Sequence, residues 1–134
     1  MYQIIRTVLS NPEDKTELRL LYASRTPDDI LLRSELDKLA AEHPKQFRVQ
    51  YFVDRATSHP TSDPECALRV GRFDADAIQQ FLLPPTSPRS AVLVCGPPGM
   101  MQHLCGAKPR SGEPAQLGGL LRKVGYGRQV LRFD

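Results

Sequence analysis

The chain has 134 residues, 40% of them hydrophobic, with eighteen basic and fifteen acidic side chains and a formal net charge of +3. That is enough to bury one core, so a single domain spanning 1–134 is expected. The charges are interleaved, with no basic run to suit a nucleic acid, and no apolar stretch is long enough to span a membrane. The mild basic excess suits transient docking to an acidic partner. Three cysteines, Cys66, Cys95 and Cys105, show no C-x-x-C spacing, so a reducing compartment is expected in place of a disulfide framework. With no leader-like start, the chain reads as cytoplasmic or cytosol-facing.

Met1, Ile4, Ile5, Val8 and Leu9 recur at helical spacing, which predicts an amphipathic helix over residues 2–9. Ser10-Asn11-Pro12 stops it. Leu18 to Ala23 reads as a strand. Thr26-Pro27-Asp28-Asp29 then predicts a capped helix start, with Pro27 at the first helical position and Asp29 three residues after the cap. Leu32, Leu36, Leu39 and Ala40 form its inward stripe, and His43-Pro44 ends it. Phe47, Val49, Tyr51 and Val53 alternate and predict a second strand that ends on Asp54. Residues 55 to 72 are polar and rich in turn formers. Asp74 caps a helix of about ten residues carrying Ala77, Ile78, Phe81 and Leu82.

The apolar run from Ala91 to Val94 predicts a strand buried on both faces of a parallel sheet. Gly96, Pro97 and Pro98 end it, so Cys95 is expected at its carboxyl end, just ahead of a helix over Gly99 to Leu104. Open α/β sheets bind ligands at that rim; the bland alternative is that Cys95 is a small buried hydrophobe. Residues 106 to 116 form a loop rich in Gly, Pro and charge. Leu117, Leu120, Leu121 and Val124 mark a last helix before Gly125, and Arg128 to Phe133 a last strand. The alternation of strands and helices predicts an α/β fold built on a parallel sheet.

Two motifs carry a resemblance. Cys95-Gly96-Pro97-Pro98-Gly99-Met100 resembles the cysteine motif of the pyridine-nucleotide lobe in cytochrome b5 reductases and assimilatory nitrate reductases, with Gly99 where proline is usual. Tyr22 to Arg33 resembles that family's second signature, with Ser24 where Asn or Gln is usual. Met1 to Arg6 resembles the residues that follow the family's glycine-rich pyrophosphate loop, and Leu131-Arg132-Phe133 resembles its aromatic terminus, although Asp134 follows. The resemblance covers essentially the whole chain. It implies a Rossmann-like sheet with its first central strand missing, truncated just after the glycine-rich loop. That loss is expected to expose two strand edges or force a new pairing, and to favour self-association.

The resemblance also implies function. Cys95 is expected to position a nicotinamide against a flavin, without acting as a nucleophile. Gly96, Pro97, Pro98, Gly99 and Met100 are expected to shape that pocket, and Ser24 and Arg25 to lie beside the adenosine, although Arg25 also reads as a surface arginine. Asp54 stands where the family carries an acid that favours NADH over NADPH, with Arg55 beside it as a counter-charge. Phe73 is expected near the adenine or in the core, and Pro64-Glu65-Cys66-Ala67-Leu68 lacks the tryptophan common there. The cofactors implied are NADH and, on a separate lobe, FAD; the acceptor implied is a heme protein. A non-catalytic interaction module that keeps the fold is the alternative. His43, His59 and His103 are scattered and give no metal-ligand spacing, and no Gly-x-Ser-x-Gly hydrolase motif occurs.

Overall fold

The computed structural model describes residues 1–55, 68–108 and 116–133. Expectations for Pro64 to Ala67, for His59, for most of the loop after Gly106 and for Asp134 lie outside them. The chain divides into two compact units, Met1–Arg72 and Phe73–Asp134. Each carries its own parallel sheet and its own helices.

In the first unit, α1 (Tyr2–Ser10) precedes β1 (Leu18–Ser24), and α2 (Arg33–Glu42) connects β1 to β2 (Phe47–Val53). A short β3 (Leu68–Val70) completes the strand order β1-β2-β3. Leu18 pairs with Phe47 and Ser24 with Val53, so β1 and β2 run in full parallel register. With neighbours on both sides, β2 buries residues on both of its faces. Phe47, Tyr51 and Val53 are buried on one, and Gln50 and Phe52 on the other. Ile5 and Leu9 of α1, with Ile30 and Leu36, close one core around Phe47, Tyr51 and Val53. The rest of the α1 stripe is less covered: Met1 and Ile4 are exposed.

The capped helix start predicted at Thr26 is present, but the helix it opens is a single 3-10 turn, Pro27–Asp29. The chain then buries Ile30, exposes Leu31, and enters α2 only after Leu32, whose φ of 57° is left-handed. Leu32 is thus exposed and stands outside the inward stripe. A continuous helix from Pro27 would have turned this run of apolar residues differently, so core packing of Ile30 overrides the helical spacing. On α2, Asp37 accepts a 2.7 Å hydrogen bond from the Tyr51 hydroxyl, and the Arg33 guanidinium lies 5.6 Å above the Tyr51 ring. The three-residue β3 sits inside a segment that reads as loop in the sequence. It exists because β2 offers it an edge at Tyr51 to Val53.

In the second unit, α3 (Ala75–Phe81) starts on Asp74, whose Oδ1 accepts from the Ala77 amide at 2.7 Å. β4 (Val92–Cys95) leads through Gly96-Pro97 into α4 (Pro98–Cys105), followed by α5 (Gly119–Lys123) and β5 (Val130–Phe133). β4 and β5 pair in parallel as a two-stranded sheet. The expectation that β4 is buried on both faces does not hold. Only Val94 is buried, because a two-stranded sheet cannot flank β4 on both edges. Edge strands are the outcome observed among the described residues: β1 ends one sheet, and β4 and β5 are the whole of the other.

The junction of α4 and α5 depends on glycine. Gly106 and Gly119 have φ of +81° and +60°. A Cβ on Gly119 would stand 2.7 Å from both the Gly106 amide nitrogen and the His103 carbonyl oxygen. The Gly118 amide donates to Cys105 O at 2.8 Å, so the backbone touches itself across the intervening segment. Farther along, the buried Tyr126 donates its hydroxyl to Leu83 O, and Gln129 Nε2 donates to Pro85 O. No helix among the described residues is long and apolar enough to cross a membrane.

Candidate functional site

Parallel strands bring their carboxyl ends to one rim, and in the first unit that rim is stitched by the backbone. The Asp54 amide donates to Ser24 O at 3.2 Å and the Arg55 amide to Arg25 O at 3.1 Å, which carries the β1–β2 ladder past the strand ends. On the other side of β2, the Gly71 amide donates to Val53 O at 2.9 Å, with Gly71 at φ +124°. Ser24, Arg25 and Asp54 are therefore brought together. Ser24 is half-buried, while Arg25, Asp54 and Arg55 are exposed.

Asp29 holds this turn from the other side. Its Oδ2 accepts from the Thr26 amide at 3.1 Å and from the Thr26 hydroxyl at 2.8 Å. Its carbonyl accepts from the Ser24 hydroxyl at 3.4 Å. The sequence reveals Asp29 as a capping residue; its bond to Ser24 is visible only in three dimensions.

In the second unit, Cys95 is the last residue of β4, paired with Phe133, and its residue is exposed. The alternative of a small buried hydrophobe fits Cys105, which is fully buried, and not Cys95. Pro97 is extended at φ −62°, ψ 155°, and Pro98 opens α4. Neither proline carries an N–H, so the next backbone donor after Gly96 is Gly99. Pro97, Pro98 and Gly99 are exposed and Met100 is half-buried. The Met100 thioether methyl lies over Gly96, where a Cβ would approach it to 2.0 Å. Glycine at 96 is what lets that side chain fold back on the turn.

A cavity of about 240 Å³ runs beside this turn, lined by Gly96, Pro98, Met101, Gln102, Lys108 and Arg132. Arg132 also donates to Ala107 O at 3.3 Å, past the carboxyl end of α4. The sequence motif does not include Arg132; its signal is the alternation in β5, where it is the half-covered residue between exposed Leu131 and Phe133. Phe73 is 7% exposed, so its ring belongs to the core of the second unit. Its carbonyl meets His103 Nε2 at 3.0 Å, which requires that nitrogen to carry the proton. Among the described residues no group of three or more His, Cys, Asp or Glu could hold a metal ion.

Comparison with known proteins gives this geometry a context. The model of the oxidoreductase NAD-binding domain matches residues 1–106. NADH-cytochrome b5 reductase 2 of Saccharomyces cerevisiae is 38% identical over 134 residues, covering 99% of this chain and 43% of that protein. The NADH-cytochrome b5 reductase-like protein of Arabidopsis thaliana is 38% identical over 131 residues, covering 98% and 38%. Among solved structures, the cytochrome b5 reductase domain of Ulva prolifera nitrate reductase superposes with a TM-score of 0.75 at 36% identity, covering 99% of this chain and 43% of that one. The CS-b5R domains of human Ncb5or, in the NAD+ form, give 0.71 at 20% identity, a likeness of fold alone. The chain spans about two fifths of the length of the curated relatives it matches. The chain belongs to the oxidoreductase NAD-binding domain family, with the cytochrome b5 reductases and the reductase domain of nitrate reductase as its relatives.

Proposed function

We propose that this chain is the NADH-binding lobe of a flavin-dependent reductase, holding NADH for hydride transfer to FAD on a partner lobe and onward electron transfer to a heme protein. The observation that carries the reading is the turn from Cys95 to Met100, set at the carboxyl end of β4 and opening α4. When bound, the nicotinamide would supply the hydride and a flavin on the partner lobe would take it up. The remaining work is positioning and electrostatics, and this chain's residues suit both.

Two features of the molecule fit a nucleotide. The Cys95 rim is exposed, and the face of Gly96 beside it is covered by the folded-back Met100 thioether, an apolar contact surface. Such a surface receives a flat ring, with the Cys95 thiol as its wall and Pro97, Pro98 and Gly99 as its floor. At the other rim, Ser24 and Arg25 offer a hydroxyl and a guanidinium to the adenosine end. Asp54 offers a carboxylate that bonds ribose hydroxyls and repels a 2′-phosphate, which favours NADH over NADPH. Cys95 orients the nicotinamide; it takes no covalent part.

Calorimetric titration with NADH tests the reading, with and without an added FAD-binding lobe from a relative. Binding is expected in both, and reduction of a dye acceptor only when the flavin lobe is present. No binding in either arm refutes the nucleotide assignment. Binding with no gain of activity on adding the flavin lobe would leave a module that keeps the fold without the chemistry.

A further inference from the structure

We infer that Asp29 is a positioning residue for the adenosine half of the nucleotide, acting through the turn Ser24-Arg25-Thr26. The inference rests on the function proposed above and adds to it a residue outside the contact surface.

Arg25 is exposed, and a long exposed side chain on a free turn samples many directions. Here the turn is not free. The Arg25 carbonyl is held by the Arg55 amide, and both chain neighbours of Arg25 are held by Asp29. On one side, the Ser24 hydroxyl donates to the Asp29 carbonyl at 3.4 Å. On the other, the Thr26 amide and hydroxyl converge on a single carboxylate oxygen at 3.1 and 2.8 Å, and the Asp29 amide returns a bond to Thr26 O at 3.2 Å. Of these, only the two bonds from Thr26 need the Asp29 side chain. They are charge-assisted, so they are the stronger ones.

A helix cap alone would make the Asp29 carboxylate matter to stability and nothing else. The 3-10 turn it caps is three residues long and is not continuous with α2. The same carboxylate also fixes the direction in which the backbone leaves the β1 rim, and with it the base of Arg25. Without it, the ordering of that turn is deferred to the moment of binding, where it appears as lost affinity.

The test is calorimetric titration of the full chain with ADP-ribose, a probe that carries the adenosine half and no nicotinamide. Asp29→Ala is expected to weaken ADP-ribose binding about tenfold, the cost of ordering about one residue on binding. Asp29→Asn keeps an acceptor for both Thr26 donors, so it is expected to stay within about threefold of wild type. With a flavin lobe added, Asp29→Ala raises KM for NADH and leaves kcat in place.

Wild-type affinity in Asp29→Ala overturns the inference. So does an equal loss in Asp29→Ala and Asp29→Asn, since the charge at the rim would then be the cause. Should Asp29→Ala fail to fold, Thr26→Val carries the test: it removes only the hydroxyl donor and is expected to cost about threefold. A wild-type chain that does not bind ADP-ribose refutes the nucleotide reading itself, and the wild-type arm separates that failure from the others.

Discussion

Replacing Gly119 by alanine is the sharpest single test of how the second unit is built. Two costs add. At φ +60° a residue with a Cβ is strained by about 1 kcal/mol or more. The added methyl would also sit 2.7 Å from the Gly106 nitrogen and the His103 oxygen and 2.8 Å from the Leu104 carbonyl carbon. All three atoms are backbone at the end of α4, so no side chain can rotate away, and the helix end itself must shift. Overpacking of that kind costs roughly 1–3 kcal/mol. The sum, about 2–4 kcal/mol, corresponds to a fall in melting temperature of about 10 °C for a chain of this size. Gly99→Ala is the control, because its φ is not left-handed and no heavy atom lies within 4 Å of the new methyl. It sits in the first turn of α4 and should be neutral or stabilise by up to about 1 kcal/mol. Thermal melts followed by circular dichroism read both. A Gly119→Ala chain melting within 2 °C or so of wild type, on the same scaling, would refute the backbone-contact argument.

Burial raises the Tyr126 phenol above its ordinary value of 10.0, so the folded chain holds this proton more tightly than the unfolded one. Its contribution is complete below the unfolded value and is lost as pH rises through the folded one. Tyr126→Phe should flatten the alkaline limb of a pH–stability curve. It should also cost about 1 kcal/mol at neutral pH, where Leu83 O loses its donor; an unchanged alkaline limb would count against the assignment. Tyr51→Phe removes the bond to Asp37 and should lower the urea midpoint by the equivalent of about 1–1.5 kcal/mol. An unchanged midpoint would show that water replaces the bond at no cost. In a Cys66→Ser background, iodoacetamide should label Cys95 in the native chain and reach the buried Cys105 only on unfolding. Saturating NADH should slow labelling of Cys95, and an unchanged rate would argue against its place beside the nicotinamide.

What the sequence makes legible is local. Asp74 caps α3 as its spacing to Ala77 requires, the alternation from Phe47 to Val53 is β2, and the Gly-Pro-Pro stop after Cys95 opens α4. The candidate residues at each rim were legible as well, because motif and strand end coincide. What stayed hidden depends on distant partners. β3 is three residues of weak pattern that become a strand only beside β2. Thr26 and Asp29 announce a helix start correctly, yet the burial of Ile30 and the left-handed Leu32 divide the run into a turn and a later helix. The partial burial of Leu93 and the exposure of Cys95 could not be read from an apolar run, since that run looks the same in a two-stranded sheet and a five-stranded one. Gly118 and Gly119 fall inside the helix read from Leu117 to Val124; the structure starts that helix at Gly119, and the close approach of Gly106 to both glycines is not visible in the pattern.

That glycine contact bears on how the chain tolerates change. Since Gly106 and Gly118 meet backbone to backbone, α4 and α5 are joined at a fixed point whatever the length of chain between them. A flexible insertion there adds only about 0.6 kcal/mol of closure entropy for each doubling of its length. The junction is therefore a natural docking port for engineering. A peptide tag or a small reporter spliced between Gly106 and Gly118 would lengthen a loop whose two ends stay in backbone contact.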